Sequence, residues 1–271
     1  MTRPFSDNPA ATATPVDEAP GKVWFIGAGP GAPDLITVRG QRLIREADLV
    51  LYAGSLVPVE LLQEAGMKPA SRCIDSSTLT LEETHALCLD TASTGGMVAR
   101  VHTGDPSLYG ALREQARLLD RDGIAWGVVP GITASFAAAA AAGCSFTVPE
   151  VTQTLVITRL AGRTPVPEAE RLRELARHGS SMAIYLSAQD ADAVQAELAI
   201  FPGDTPVVCA SKVGWLDERL VRTTVAELAE TVRAHGLTRQ TVFLVLPGES
   251  VRAADSCSKL YDAGFAHGYR S

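Results

Sequence analysis

"FIGAGPGAPDLIT", residues 25–37, is the stretch on which the reading of the fold turns. The apolar run Val23–Ile26 enters it as a strand and meets Gly27, Gly29 and Gly31 in quick succession. As Gly27-Ala28-Gly29-Pro30-Gly31-Ala32 the loop satisfies G-x-G-x-x-A, the fingerprint of a flavin or nicotinamide site. Such a site asks for more than glycines. The loop must open straight into a helix whose N-terminus faces the pyrophosphate, and an acid about 20 residues on must take the ribose hydroxyls. Here Pro33-Asp34 delays any helix to about Thr37, and the place of the acid holds Ala53, Gly54 or Ser55. Asp48 lies at the wrong end of that second strand. A dinucleotide-dependent oxidoreductase is therefore a rival reading that lacks both of its supports.

Outward from this loop, short apolar runs alternate with helical patterns almost to the end of the chain. Strand-like runs fall at 23–27, 49–52, 72–74, 97–102 and 124–129, with helical stretches near 37–47, 58–65, 80–93 and 107–121. The alternation restarts after "VVPGITASFAAAAAAG" (128–143), with strands at 154–159, 181–187, 205–211, 219–224 and 240–246. Helices are expected there near 132–142, 167–178, 189–199 and 225–235. Alternation of this kind means βα units on mostly parallel sheets. The short links around 212–218 predict an antiparallel hairpin within the second half. The expected organisation is a disordered lead-in over 1–21, α/β domains over 22–132 and 133–248, and a tail over 249–271. Thr80-Leu81-Glu82-Glu83 fits a capping box, and Pro58 and Gly66 suit a helix start and stop.

Composition narrows the function classes. The 271 residues carry a formal net charge of -7, which argues against broad nucleic-acid binding, since that needs a basic face to displace counterions. Five cysteines without a C-x-x-C pair read as reduced thiols of a cytoplasmic protein. The five histidines, at 85, 102, 178, 235 and 267, show no ligand spacing, so no metal site is expected. The stretch 1–21 lacks the basic start and apolar core of a secretory signal, and the longest bland apolar run, 136–143, is far short of the roughly 20 residues of a membrane span. A soluble protein with no membrane partner is the expectation.

Two more Gly/Pro loops recur at strand ends, "HTGDPSLYG" (102–110) and "PGITAS" (130–135). In an open parallel sheet, ligands sit at the carboxyl ends of strands. Gly27–Thr37, Thr103-Gly104-Asp105-Pro106 and Pro130-Gly131-Ile132-Thr133 together resemble the three motifs of the class III tetrapyrrole (corrin/porphyrin) methyltransferases, and the likeness runs from about 22 to 248. "LYAGSLVP" (51–58), "RVHTGDPSLYGALREQ" (100–115), "FTVPEVTQTLVITR" (146–159) and "GWLDERLVRTT" (214–224) look most like its C11-methylating corrin branch.

The resemblance implies an α/β fold of two domains with mainly parallel mixed sheets. It also implies S-adenosylmethionine (SAM) in the cleft between them, S-adenosylhomocysteine as product, a tetrapyrrole substrate and a homodimer. It places Pro30, Thr103, Gly104, Asp105, Leu108, Thr133, Ala134, Leu186 and Ala210 at the cofactor, while Gly29, Gly31, Arg100, His102 and Tyr109 are candidates for the substrate. Asp105 is the one catalytic candidate, and capping of the 107–121 helix is its plainer alternative. Arg39, Arg113, Arg159, Lys212 and Arg222 are further candidates to hold substrate carboxylates, and Trp215 to wall the macrocycle. His85 and Cys88, on one amphipathic helix, are given no function. Two departures stand out: Thr103 occupies a glycine position of the uroporphyrinogen-methylating branch, and Ala53 follows Tyr52 where that branch has an aspartate. The general base is thus left unassigned, as is the choice between a metal-free and a cobalt-containing substrate. A carrier that binds the ring but not SAM is the remaining rival.

Overall fold

The computed structural model describes residues 22–69 and 71–250. The expected lead-in, and the tail from 251 on, lie outside the described residues. The chain divides into two compact units with the break between Thr133 and Ala134, one residue beyond the expected boundary.

The first unit runs β1 (Lys22–Gly27), α1 (Val38–Glu46), β2 (Leu49–Tyr52), α2 (Val59–Glu64), β3 (Arg72–Asp75), α3 (Leu81–Ser93), β4 (Val98–His102), α4 (Leu112–Arg121), β5 (Ala125–Val129). Its five strands pair in the order β3-β2-β4-β1-β5, all parallel, so every strand delivers its carboxyl end to one edge. Side-chain alternation sends Trp24, Ile26, Val50, Ala99 and Val101 to one face, with Leu43, Ile44, Leu61 and Leu62 of α1 and α2. Val23, Phe25, Leu49, Leu51 and Val98 go to the other, with Cys88, Ala92 and Leu119 of α3 and α4. Arg100 and His102 alternate in step with Val98 and so belong to this second face.

Local chemistry sets the boundaries. Thr37 accepts from Gly40 N at 3.1 Å and starts α1 after the proline-delayed loop. Thr80 and Glu83 form the expected capping box, Glu83 N to Thr80 Oγ1 at 3.2 Å and Thr80 N to Glu83 Oε2 at 2.8 Å. Gly66, at φ +85°, ends α2. One expectation fails: the helix read over 107–121 begins only at Leu112, because Tyr109 (φ 56°) and Ala111 (φ 49°) are left-handed and cannot continue a right-handed helix. Asp105 therefore does not cap α4.

The second unit runs α5 (Ala134–Ala142), β6 (Leu155–Arg159), α6 (Leu172–Ala176), β7 (Ser181–Tyr185), α7 (Ala191–Glu197), β8 (Pro206–Ser211), β9 (Arg219–Thr224), α8 (Leu228–Ala234), β10 (Thr241–Val245). Its sheet has the order β6-β7-β10-β8-β9. β6 and β7 are parallel, β8 and β9 form the expected hairpin, and β10 inserts antiparallel to both β7 and β8. The antiparallel part is thus larger than the hairpin alone. A link through α8 brings the last strand back into the middle of the sheet, where Phe243 and Leu244 are fully buried. Helices α6, α7 and α8 cover one face and the alanine-rich α5 the other, where small side chains let helix and sheet approach closely.

Gly127 on β5 faces Trp24 so closely that an added Cβ would lie 2.4 Å from the indole ring. Trp24 is only 6% exposed and packed against α1 and α2, so it has no room to retreat. Replacing Gly127 by alanine is expected to lower unfolding free energy by about 1–3 kcal/mol in urea titrations. Adding Trp24→Leu, which frees the space, should recover part of that loss, and simple additivity of the two losses would refute the steric account.

Candidate functional site

Three loops meet at the carboxyl edge of the first sheet, after β1, β4 and β5. They join backbone to backbone. Gly29 and Gly104 form an isolated antiparallel bridge, with Gly104 N to Gly29 O at 2.7 Å and Gly29 N to Gly104 O at 3.2 Å, and Ala28 N reaches His102 O at 2.8 Å. A Cβ on Gly131 would sit 2.0 Å from the Gly104 carbonyl oxygen and 2.8 Å from Gly27 Cα. A Cβ on Gly27 would lie 2.6 Å from that same oxygen. Gly27 and Gly131 are glycines because main chain passes against main chain there. Gly104 has a different reason: an added Cβ would come no closer than 3.6 Å to Thr133 Cα, but φ is +61°.

Asp105 fastens this junction. Its Oδ2 accepts from Gly131 N at 2.9 Å, and its Oδ1 accepts from Ser107 N at 2.9 Å and from the Ser107 hydroxyl. Partial burial pulls the carboxyl upward, but the hydrogen bonds from Ser107 and Gly131 outweigh it and hold Asp105 below the usual carboxylate range. Both oxygens thus act as acceptors for loop donors. This is the geometry of a clamp that keeps a charge at the site, not of a base collecting protons from a substrate.

The predicted site residues separate on burial. Gly29, Pro30, Gly31 and Gly104 are buried in the junction, whereas Thr103, Tyr109 and Ile132 are exposed at its surface and Leu108 and Thr133 are half-buried. Tyr109 is 47% exposed in its left-handed conformation. In the second unit, Leu186 follows β7 at φ +54° with 68% of its surface exposed. Its neighbours are pinned: the Tyr185 hydroxyl accepts from Ser135 N at 2.7 Å at the start of α5, and Ser187 Oγ donates to Tyr185 O at 2.6 Å while accepting from Leu160 N at 2.8 Å. A large apolar side chain held outward in an unfavourable backbone well is a mark of a functional position. Ala134 is half-buried at the first position of α5. Ala210 is fully buried in β8 with its side chain in the core against α5.

Most basic candidates are occupied within the fold. Arg159 donates to the Thr164 carbonyl, Lys212 pairs with Asp217 and Arg222 donates to the Ala142 carbonyl. Arg39 and Arg113 stand exposed on α1 and α4, and Trp215 is half-buried. Arg100 points between the sheet and α3/α4, where Nε donates to Gln115 Oε1 at 3.0 Å and Nη1 to Ser76 Oγ at 2.8 Å. His85, given no function, bonds Asp122 at 2.6 Å and ties α3 to the end of α4. Sequence reasoning missed Ser76, Ser107 and Gln115. Only Ser107 had a signal, as the third residue of an Asp-x-Ser turn.

His102 is 8% exposed, packs at a tilt against Phe25 at 5.8 Å and leaves Nε2 without a hydrogen-bond partner among the described residues. Burial, and then the nearby Arg100 charge, push it down to about 3, so it is neutral in the folded state. A freed imidazole titrates near 6.5. The folded chain therefore binds fewer protons than the unfolded one between these values, and the stability is whole above about 6.5 and eroded as pH falls towards 3. The slope is at most about 1.4 kcal/mol per pH unit. His102→Gln should flatten the loss of unfolding free energy between pH 6.5 and 5. Parallel curves for the two proteins would sink this assignment.

Asp105→Asn replaces one acceptor with a donor facing an N–H group. It is expected to lower turnover roughly 10- to 1,000-fold through poorer ligand binding or orientation. A variant that binds its ligands normally and yet has no turnover would make Asp105 an essential chemical group.

Residues 22–229 match the family model of the Tetrapyrrole (Corrin/Porphyrin) Methylases. Over 253 residues the chain is 46% identical to the cobalt-precorrin-4 C(11)-methyltransferase of Priestia megaterium, covering 92% of this chain and 97% of that one. It is equally 46% identical, over 250 residues, to the precorrin-4 C(11)-methyltransferase of Pseudomonas aeruginosa, covering 92% and 98%. Among solved structures, a cobalt-precorrin-4 methyltransferase of cobalamin biosynthesis superposes with a TM-score of 0.80 at 47% identity, over 83% of this chain and 94% of that one. With the family model matched over 22–229 and a relative 46% identical over nearly its whole length, this chain belongs to the tetrapyrrole (corrin/porphyrin) methylase family.

Proposed function

We propose that the protein is a SAM-dependent methyltransferase that methylates C11 of precorrin-4, in its metal-free or cobalt-containing form, during cobalamin biosynthesis. One observation carries the cofactor part. The loops 27–37, 102–111 and 130–134 hold no lysine or arginine, and their junction is closed by an ionised Asp105. Such a site suits a sulfonium cation, and the delayed helix and missing acid after β2 already stand against a dinucleotide. Family membership and the two relatives at 46% identity support the substrate part.

SAM supplies a methyl group on a sulfonium whose thioether leaves without assistance. The chain therefore has to bind and orient. Thr103, Gly104 and Thr133 offer backbone groups at the junction, Asp105 fixes it, and Tyr109 and Leu186 are the exposed large side chains for adenine or macrocycle contact. Alignment alone is worth roughly 7–11 kcal/mol of barrier. C11 of the reduced ring is enamine-like and nucleophilic, so the absence of an acid after Tyr52 is compatible with transfer. Arg39 and Arg113 are the exposed cations left to meet acetate or propionate arms.

The proposal extends to a homodimer in the cytoplasm. Free thiols at Cys73, Cys88, Cys144 and Cys209 support a reducing compartment, and exposed apolar side chains such as Val38 (85%) and Leu216 (111%) support self-association.

Calorimetry should show one S-adenosylhomocysteine bound per chain. Incubation with SAM and precorrin-4, and separately cobalt-precorrin-4, should add one methyl group, placed at C11 by NMR. Tight NAD or FAD binding without S-adenosylhomocysteine binding would overturn the enzyme class. Ring binding without SAM binding would make the protein a carrier, and methylation at another carbon would remove the C11 assignment.

A further inference from the structure

Arg100 is a half-buried guanidinium with no carboxylate partner among the described residues, so its charge is met by neutral hydrogen-bond acceptors instead of an ion pair. Its two hydrogen bonds lead in opposite directions. Through Nη1 it reaches Ser76 Oγ, which itself donates to the Tyr52 carbonyl at 3.0 Å and so ties the ends of β2 and β3 to β4. Through Nε it fixes Gln115 Oε1, which leaves the Gln115 amide nitrogen facing the other way. That nitrogen donates to the carbonyls of Gly110 and Ala111, at 3.3 and 3.2 Å. Gln115 is 9% exposed and Ser76 7%, so the chain of contacts is shielded from water.

The far end of this relay is the strained part of the loop. Tyr109 and Ala111 are left-handed on either side of Gly110, and a Cβ on Gly110 would lie 2.4 Å from Pro106 O and 3.2 Å from His102 Nδ1. Two non-glycine residues in that well do not persist unless the surroundings enforce it. The loop after β4 is thus held at two separate points. Asp105 clamps its first half to Gly131, and Gln115, aimed by Arg100, clamps its second half.

We infer that Arg100 and Gln115 are positioning residues that set Tyr109 as a contact for the tetrapyrrole macrocycle, independently of the SAM-binding half of the loop. The inference rests on the proposed function above. Arg100 is accordingly moved from the set of residues that touch substrate to those that act through another residue. The half held by Asp105 answers for cofactor affinity, and the half held by Gln115 answers for substrate affinity and ring selection.

Gln115→Glu is the deciding variant. A carboxylate there gives Arg100 the ion-pair partner it lacks, so the melting temperature should hold or rise. The same change removes the donor to Gly110 and Ala111 and turns a negative charge towards their carbonyls, so the second half of the loop should let go. The expected result is a KM for precorrin-4 raised about tenfold, with the dissociation constant for S-adenosylhomocysteine within about twofold of the parent. Tyr109→Ala should raise KM similarly, and adding it to Gln115→Glu should cost little more, since both remove one contact. Gln115→Met, which deletes acceptor and donor together, is made in parallel and should show the same split between the two ligands even where the melting temperature drops.

An unchanged KM in both Gln115 variants overturns the inference, as do parallel losses of affinity for both ligands or fully multiplicative effects with Tyr109→Ala. If the unsubstituted protein binds no S-adenosylhomocysteine and methylates no ring, the proposed function fails instead, and the two failures are told apart in the same experiment.

Discussion

Everything at the candidate site depends on one close approach, the passage of the Gly104 carbonyl between Gly27 and Gly131. A parallel sheet delivers strand ends about 4.8 Å apart, a spacing at which loops bearing side chains would splay outward. Glycines at the two contact points let the loops after β1, β4 and β5 close on one another instead. The bridge between Gly29 and Gly104 then satisfies backbone groups that would otherwise be buried without partners. Asp105 adds the one charged connection, from the loop after β4 to the loop after β5. A ligand at this edge meets a preformed surface of main chain, and preformed surfaces cost little ordering entropy on binding.

Building a site from main chain has a chemical consequence. The close contacts of the junction are main chain, and the carboxylate that fastens it, Asp105, is consumed by loop donors. His102, just upstream, is held neutral by burial and by Arg100, so it adds no positive charge next to a site proposed for a sulfonium. Protonating it would place a second cation beside Arg100 in a dry environment and oppose a cationic ligand. The pressure to keep this histidine neutral and the electrostatic demand of the proposed cofactor thus point the same way.

The sequence made much of this legible, for identifiable reasons. The first, fourth and fifth strands announced themselves through apolar runs leading into Gly/Pro loops, and the capping box at Thr80 through a strictly local pattern. Less legible was the length of α4. Residues 107–111 have helix-compatible composition, and the left-handed Tyr109 and Ala111 accompany a Gln115 amide that is itself aimed by Arg100 of β4, a strand partner the local pattern does not show. The burial of Ala210 was hidden for a similar reason: alternation along β8 gives it a face, but which face α5 covers is decided by a helix far away in sequence. The insertion of β10 between β7 and β8 is non-local too, since a strand's neighbours in a mixed sheet are not written in its own residues.

Arg100 shows how far a residue's type can mislead about its task. An arginine two residues before a glycine loop in a protein with an anionic substrate invites the reading of a carboxylate anchor. Placement on the α3/α4 face overrides that reading, because strand alternation turns Arg100 away from the edge and into a pocket closed by Ser76 and Gln115. A planar guanidinium suits this task better than an ammonium would. Its donors diverge at fixed angles, so binding Ser76 on one side determines where Gln115 is held on the other. The orientation of the Gln115 amide follows from the charge: its oxygen must face the cation, which commits its nitrogen to the loop carbonyls. An isolated glutamine could flip between the two states at little cost. Beside a half-buried cation one orientation is strongly favoured, and that asymmetry fixes the loop geometry.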